Sequence, residues 1–299
     1  MNFPIFLACA AALTVISLAI CLKRFAIAQA LNLLDVPDER KKHTRVTPLI
    51  GGVALLAAFV PIGTVYAFAG ANPADTVKLI VLLFCVGGVS VLGILDDRHS
   101  LSPRLRLIFS FALFSAAAFA EPLYNVRVLY FEHPAYILGL GTGVLAVFFT
   151  VLCCVGLVNA VNMADGKNGL VIGLCIGWLG LLATKAPPTY LPIIGFLLVT
   201  LLVLLAFNLR GKLFLGDGGA YGFATAIALT TIAVYNSPVP PGTARLLAAE
   251  DVVLLFIVPV FDSFRLTYSR IRRGQSPMAG DRDHLHHHLQ DRFGWPTGL

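Results

Sequence analysis

Residues 76–97 read Thr76-Val77-Lys78-Leu79-Ile80-Val81-Leu82-Leu83-Phe84-Cys85-Val86-Gly87-Gly88-Val89-Ser90-Val91-Leu92-Gly93-Ile94-Leu95-Asp96-Asp97. An apolar run in which Lys78 is the one charged residue ends on two adjacent carboxylates. The hydrocarbon core of a bilayer takes about 20 apolar residues of helix, and this run meets that requirement. Moved outward along the chain, the same ruler predicts about nine spans. They fall near residues 3–22, 48–69, 76–95, 104–120, 137–161, 168–184, 189–209, 216–236 and 250–268. Composition agrees, since the 299 residues are 58% hydrophobic and 13% charged. A soluble domain carries roughly a quarter charged residues, so a soluble fold is excluded. The expected fold is all-α, a polytopic transmembrane helical bundle. Phe3 to Leu22 has no basic flank before it and no small-residue cleavage site after it. It reads as a spanning helix rather than a signal peptide. The six cysteines lie within apolar segments and read as packing residues.

Charge placement predicts the orientation. Alternating the spans puts 18 of the 22 Lys and Arg residues on one side and leaves Lys78, Arg127, Lys185 and Arg245 on the other. By the positive-inside rule the N-terminus lies outside and the C-terminus in the cytosol. No 20–50-residue repeat is visible. The chain therefore reads as a membrane catalytic domain over 1–268 and a cytosolic tail over 269–299. Among the outer connections, Asn125 to Phe131 has the β-branched and aromatic content of a small strand or hairpin. Gly139-Leu140-Gly141-Thr142-Gly143 fails as a dinucleotide motif, because no strand is expected before it and it points outward.

The candidate chemistry sits at the cytosolic ends of the spans. Asp96 and Asp97 end the third span. Two ionised carboxylates this close repel, which a metal ion or a raised pKa relieves. The plainer alternative is a solvated helix end balanced by Arg98 and Arg104. The next loop reads Asn159-Ala160-Val161-Asn162-Met163-Ala164-Asp165-Gly166-Lys167-Asn168-Gly169. Asp-Gly and Asn-Gly are turn formers and would suit a bare connection. Asn159 and Asn162, three apart, instead suggest one polar helix face leading into Asp165. In Phe214-Leu215-Gly216-Asp217-Gly218-Gly219, Asp217 stands at the start of a span. A helix N-terminus offers N–H groups to a phosphate, and the carboxylate suits the Mg²⁺ that a diphosphate brings. A simple N-cap is the alternative.

Two basic segments complete the inventory. Asp38-Glu39-Arg40-Lys41-Lys42-His43-Thr44-Arg45 is either an ordinary positive-inside signal or an attractor of anionic lipid or nucleotide. The tail reads Asp281-Arg282-Asp283-His284-Leu285-His286-His287-His288. It suits phosphate binding better than structural zinc, which wants four spaced ligands and here has no cysteine near. Transporters more often place ionisable residues at mid-membrane in broken helices. Acids at helix ends, within reach of a soluble nucleotide, argue for an enzyme.

In this order, the Pro37-to-Gly52 loop, Asp96-Asp97, Asn159 to Gly169, Phe214 to Gly218 and the His run resemble the polyprenyl-phosphate N-acetylhexosamine-1-phosphate transferase family (glycosyltransferase family 4). The Asp281-Arg282-x-His284 form looks closest to the branch that transfers GlcNAc-1-phosphate to undecaprenyl phosphate. The resemblance implies transfer of sugar-1-phosphate from a UDP-N-acetylhexosamine to a polyprenyl phosphate with release of UMP, a step that initiates a cell-surface glycan. It implies Mg²⁺, with Mn²⁺ as a substitute, held by Asp217 with Asp97 as a second acid. Asp96 would be the base, and His284, His286 and His287 catalytic phosphate-binding residues. Asn162 and Asp165 would shape the nucleotide pocket. Lys42, Arg45, Asn159, Asn168, Arg282 and His288 would complete the substrate contacts. The implied setting is the bacterial plasma membrane with the site facing the cytosol, lipids as partners and no nucleic acid. Family members commonly carry Asp-Gly-x-Asp-Gly where this chain has Asn168, which points to altered base or sugar preference. They also continue with one or two further spans beyond the His run, which a homodimer partner could replace. The competing readings are a transporter or flippase of a lipid-linked or anionic substrate, and a catalytically altered member using another UDP-sugar.

Overall fold

The computed structural model describes residues 2–37, 45–132, 137–141, 143–240 and 245–276. In chain order, α1 (Phe3–Leu22) and α2 (Arg24–Leu31) lead into β1 (Leu34–Asp35), which pairs antiparallel with β2 (Thr47–Pro48). Then α3 (Gly51–Ala54) passes through a π-helical turn (Leu55–Phe59) into α4 (Val60–Ala69). Next come α5 (Pro73–His99) and α6 (Pro103–Ala120), then an antiparallel hairpin of β3 (Val128–Tyr130) and β4 (Ile137–Gly139). The remaining helices are α7 (Val144–Ala164), α8 (Leu170–Lys185), α9 (Leu191–Asn208), α10 (Gly216–Asn236) and α11 (Ala249–Arg272). Helix starts are marked by proline in the first turn and by side-chain caps. Asn72 Oδ1 accepts from Ala74 N before α5, and Ser102 Oγ from Leu105 N before α6.

The all-α expectation holds. Among the described residues, eight helices are long and apolar enough to cross a membrane. The sixth expected span, 168–184, is α8, which has only 16 residues. At 1.5 Å per residue it is about 24 Å long, short of the ~30 Å hydrocarbon core. It nevertheless crosses the bundle. Its N-terminal Gly169 N donates to Asn208 Oδ1 at the last residue of α9. Just past its other end, Thr189 Oγ1 donates to Asp75 in the first turn of α5, whose far end carries Asp96 and Asp97. Large apolar side chains such as Phe84, Phe119 and Phe264 remain exposed on the outside, as lipid-facing positions of a multi-pass membrane protein do.

The bundle is organised around α10, in which every residue from Gly218 to Tyr235 is buried. Its closest neighbour is α5. A Cβ at Gly93 would lie 2.5 Å from the Asp217 backbone, and one at Gly218 2.6 Å from Ile94 Cγ1. Only hydrogen at these positions lets two backbones come this close. That contact carries the C-terminal end of α5 onto the N-terminal end of α10.

Several boundaries differ from the expected ones. The third span runs on to His99, so Asp96 and Asp97 lie inside the helix rather than after it. The fifth begins at Val144 instead of 137, because residues 137–139 pair as the second strand of the expected hairpin. A strand therefore does precede Gly141-Thr142-Gly143, but it belongs to a hairpin and not to a βαβ unit. The last span continues to Arg272, past the expected boundary at 268.

Candidate active site

The α5–α10 junction builds the first wall. Gly216 has φ +70°, and a Cβ there would meet Asp97 Oδ2 at 2.8 Å, so glycine is required on both counts. Asp97 then accepts from Asp217 N through Oδ1 at 2.9 Å and from Gly218 N through Oδ2 at 3.1 Å. These are unpaired donors of the first helical turn, where a carboxylate is favoured by the helix dipole. The N–H groups expected to face a phosphate are thus taken by Asp97, which caps α10 from another helix. The Thr47-to-Gly51 strap seals the same corner, with Phe214 N bonded to Pro48 O, Ile50 N to Phe214 O and Gly51 N to Leu215 O.

Asp96, one residue earlier, is 6% exposed. Its Oδ1 accepts from Leu101 N at 2.8 Å and its Oδ2 from Arg106 Nη1 on α6. The cation bonded to Asp96 is therefore Arg106, not the Arg98 and Arg104 of the plainer alternative. The same Arg106 nitrogen donates to the Tyr221 hydroxyl at 3.0 Å and lies 4.0 Å from Asp217 Oδ2.

The second wall comes from the end of α7 and the following loop. Asn162 Nδ2 donates to the Tyr221 hydroxyl at 3.4 Å. Asp165 ends the helix, its N–H bonded to Asn162 O. Burial, and then the Asp97 charge, push its carboxyl up to about 7. Gly169 turns the chain at φ +79° and is anchored by the buried Asn208, whose Nδ2 also donates to Leu213 O. Asn208 therefore fixes the loop carrying Lys167 and Asn168 against the strand-like stretch before Asp217.

These walls enclose a cavity of about 720 Å³. Of the expected site residues, Asp96, Asp97, Asn162, Asp165, Asn168 and Asp217 line it together. Asn159 does not. One turn earlier on α7, its Nδ2 donates to Val155 O at 2.8 Å, and it lines a second, apolar cavity of about 690 Å³ between α7, α10 and α11. Three residues leave two side chains about 60° apart around a helix and about 4.5 Å apart along it, and here that offset puts the two asparagines in different spaces. Arg45 lies outside the lining of both cavities. Lys42, Arg282, His284, His286, His287 and His288 lie outside the described residues.

Sequence reasoning missed Asp35, Arg106, Asn208 and Tyr221. Tyr221 had a signal, its four-residue spacing from Asp217, which puts both on one helix face. Asp35 and Arg106 looked like ordinary loop charges, and Asn208 like the polar end of a span. With Asp35, five carboxylates line the cavity against Arg106 and Lys167, a formal charge of −3 among the described lining residues. Mg²⁺ is held by one or two carboxylates plus substrate phosphates rather than by an all-protein cage. Asp97 and Asp217, both lining the cavity, could supply carboxylates to such an ion.

The comparisons with known proteins bear on the same helices. The family described as Glycosyl transferase family 4 matches residues 79–235, from within α5 to the end of α10. The chain is 31% identical over 271 residues to the undecaprenyl-phosphate alpha-N-acetylglucosaminyl 1-phosphate transferase of Yersinia pestis, covering 87% of this chain and 70% of that protein. The protein of that name from Escherichia coli K12 is 30% identical over 276 residues, with the same coverage. A probable undecaprenyl-phosphate N-acetylglucosaminyl 1-phosphate transferase of Bacillus subtilis strain 168 is 28% identical, over 93% of this chain and 74% of that protein. With more than half of its length matched, including both helices that build the acid cluster, the chain belongs to glycosyl transferase family 4.

Proposed function

We propose that this protein transfers N-acetylhexosamine-1-phosphate, GlcNAc-1-phosphate in the first instance, from a UDP-sugar to undecaprenyl phosphate and releases UMP. The observation that carries the reading is the pairing of two cavities. The acidic one holds Asp97 and Asp217, and the apolar one opens one turn away along α7. A nucleotide diphosphate with its cation suits the first, and a polyprenyl chain suits the second, whose lining is almost wholly apolar. The names of the relatives supply the acceptor and the sugar. Transport is disfavoured because the acids gather at one end of the bundle rather than at its middle.

In the reaction, an oxygen of the lipid phosphate attacks the β-phosphorus of the UDP-sugar. The new P–O bond forms as the bond to the bridging oxygen breaks, and UMP departs with that oxygen. Mg²⁺, held by Asp97 and Asp217, would neutralise charge building on the diphosphate. Asp97 is well placed to stay rigid, because two backbone N–H groups fix its carboxylate. Asp96 has both oxygens engaged by Leu101 N and Arg106, which suits an anchor for Arg106 better than a base. A base is scarcely needed, since the second pKa of a phosphate monoester is about 6. Asn168 and Lys167 line the acidic cavity and are placed to influence base or sugar choice. We place this end of the bundle in the cytosol, where nucleotide sugars are made, in keeping with its excess of Lys and Arg.

The test is direct. Purified protein in detergent, given undecaprenyl phosphate, Mg²⁺ and a panel of UDP-sugars, should release UMP with UDP-GlcNAc or another UDP-N-acetylhexosamine. No UMP with any donor would overturn the assignment.

A further inference from the structure

Tyr221 lies one turn beyond Asp217 on α10, with its ring buried at 2% exposure. Its hydroxyl oxygen accepts from Arg106 Nη1 at 3.0 Å and from Asn162 Nδ2 at 3.4 Å. One phenol therefore ties α6 and α7 to α10 at the acidic cavity. Arg106 reaches both Asp96 and Asp217. It bonds Asp96 but stops 4.0 Å from Asp217 Oδ2, well beyond the ~2.7–2.9 Å of a charge-assisted hydrogen bond.

That gap has chemical consequences. Opposite charges about 4 Å apart near a protein surface attract strongly, so a guanidinium freed on one side would be drawn to Asp217. There it would neutralise the carboxylate and compete with any cation seeking it. The Asp96 bond alone is a single tether on a long side chain; the Tyr221 bond is the second. We propose that Tyr221 is a positioning residue, whose hydroxyl holds Arg106 on Asp96 and off Asp217 so that Asp217 stays open to a divalent cation. This rests on the metal-dependent reading of the site given above.

The test reads metal binding without turnover. Mn²⁺ alone is titrated into purified full-length protein in detergent and the free ion followed by electron paramagnetic resonance. The wild type is compared with Tyr221→Phe, Arg106→Gln and the double variant, and thermal unfolding without metal shows that each is folded. Tyr221→Phe keeps the ring and its packing, and should weaken Mn²⁺ binding severalfold. Arg106→Gln removes the competing charge and should bind at least as tightly as wild type. The double variant should match Arg106→Gln, because without the guanidinium nothing is left for the hydroxyl to hold off Asp217. Equal Mn²⁺ affinity in wild type and Tyr221→Phe overturns the proposal. So does a Tyr221→Phe loss that persists in the Arg106→Gln background, which would assign the effect to packing or to the released Asn162. Should Tyr221→Phe fail to fold, Arg106→Gln binding more weakly than wild type would overturn it by itself. Wild-type protein that takes up no Mn²⁺ overturns the metal reading, and the positioning role falls with it.

Discussion

Asp97 and Asp217 share the proposed metal but differ in what else they do. Asp97 accepts two backbone N–H groups of the first α10 turn, whereas no hydrogen bond from a described backbone N–H to the Asp217 carboxylate is found. Asp97→Asn should therefore abolish UMP release and also destabilise the protein by about 1 kcal/mol, the typical worth of a helix cap, because an amide can accept through one atom only. Asp217→Asn should abolish UMP release with little loss of stability. Turnover assays and thermal unfolding of both purified variants check this. Near-normal turnover in both would remove these residues from the metal site. The sequence placed both acids in the inventory. It assigned Asp97 no structural duty, because the N–H groups it caps are 120 residues away along the chain.

Among the elements, the contact of α5 with α10 sets the geometry of the site. Gly93 faces the Asp217 backbone so closely that any Cβ would collide with it. Gly93→Val should push the helices apart, costing about 1–3 kcal/mol as overpacking does, and carry Asp97 away from the α10 N-terminus. Activity should fall further than in a variant of equal stability altered at the lipid-facing Phe84, as paired turnover and unfolding measurements would show. Equal activity loss at equal stability would mean that the close approach serves packing alone. The spans themselves were legible, because hydrophobic thickness is a local property of twenty residues. Their ends were less so. Polar residues such as Asp96, Asp97 and Asn162 continue a helix that hydropathy alone would stop. Residues 137–139 became a strand because the partner strand, Val128 to Tyr130, was there to pair with them.

Taken as a whole, the bundle has two chemically different ends. One gathers Asp75, Thr189, Tyr124 and the hairpin, the last held by the Tyr235 hydroxyl, which accepts from Tyr130 N and donates to Val128 O. The other gathers the acids and most of the basic residues. The proposed orientation predicts that a fluorescent protein fused at the C-terminus fluoresces in cells, while alkaline phosphatase at the same point stays inactive. The reverse pattern would place the acidic cavity outside, away from nucleotide sugars, and would sink the proposed function as well.

The sequence by itself determined that this is a multi-pass helical membrane protein, that its acids lie at span ends, and which motifs carry them. These are local readings of hydrophobic length, charge and short spacing. Only the tertiary structure decided which of those residues meet. It turned Asn159 into an apolar cavity and Asn162 into the acidic one, gave Asp96 to Arg106, and brought Tyr221 and Asn208 into the site. The reason is physical: the faces that helices present to one another depend on where glycine lets backbones touch, and such contacts join residues far apart in the chain.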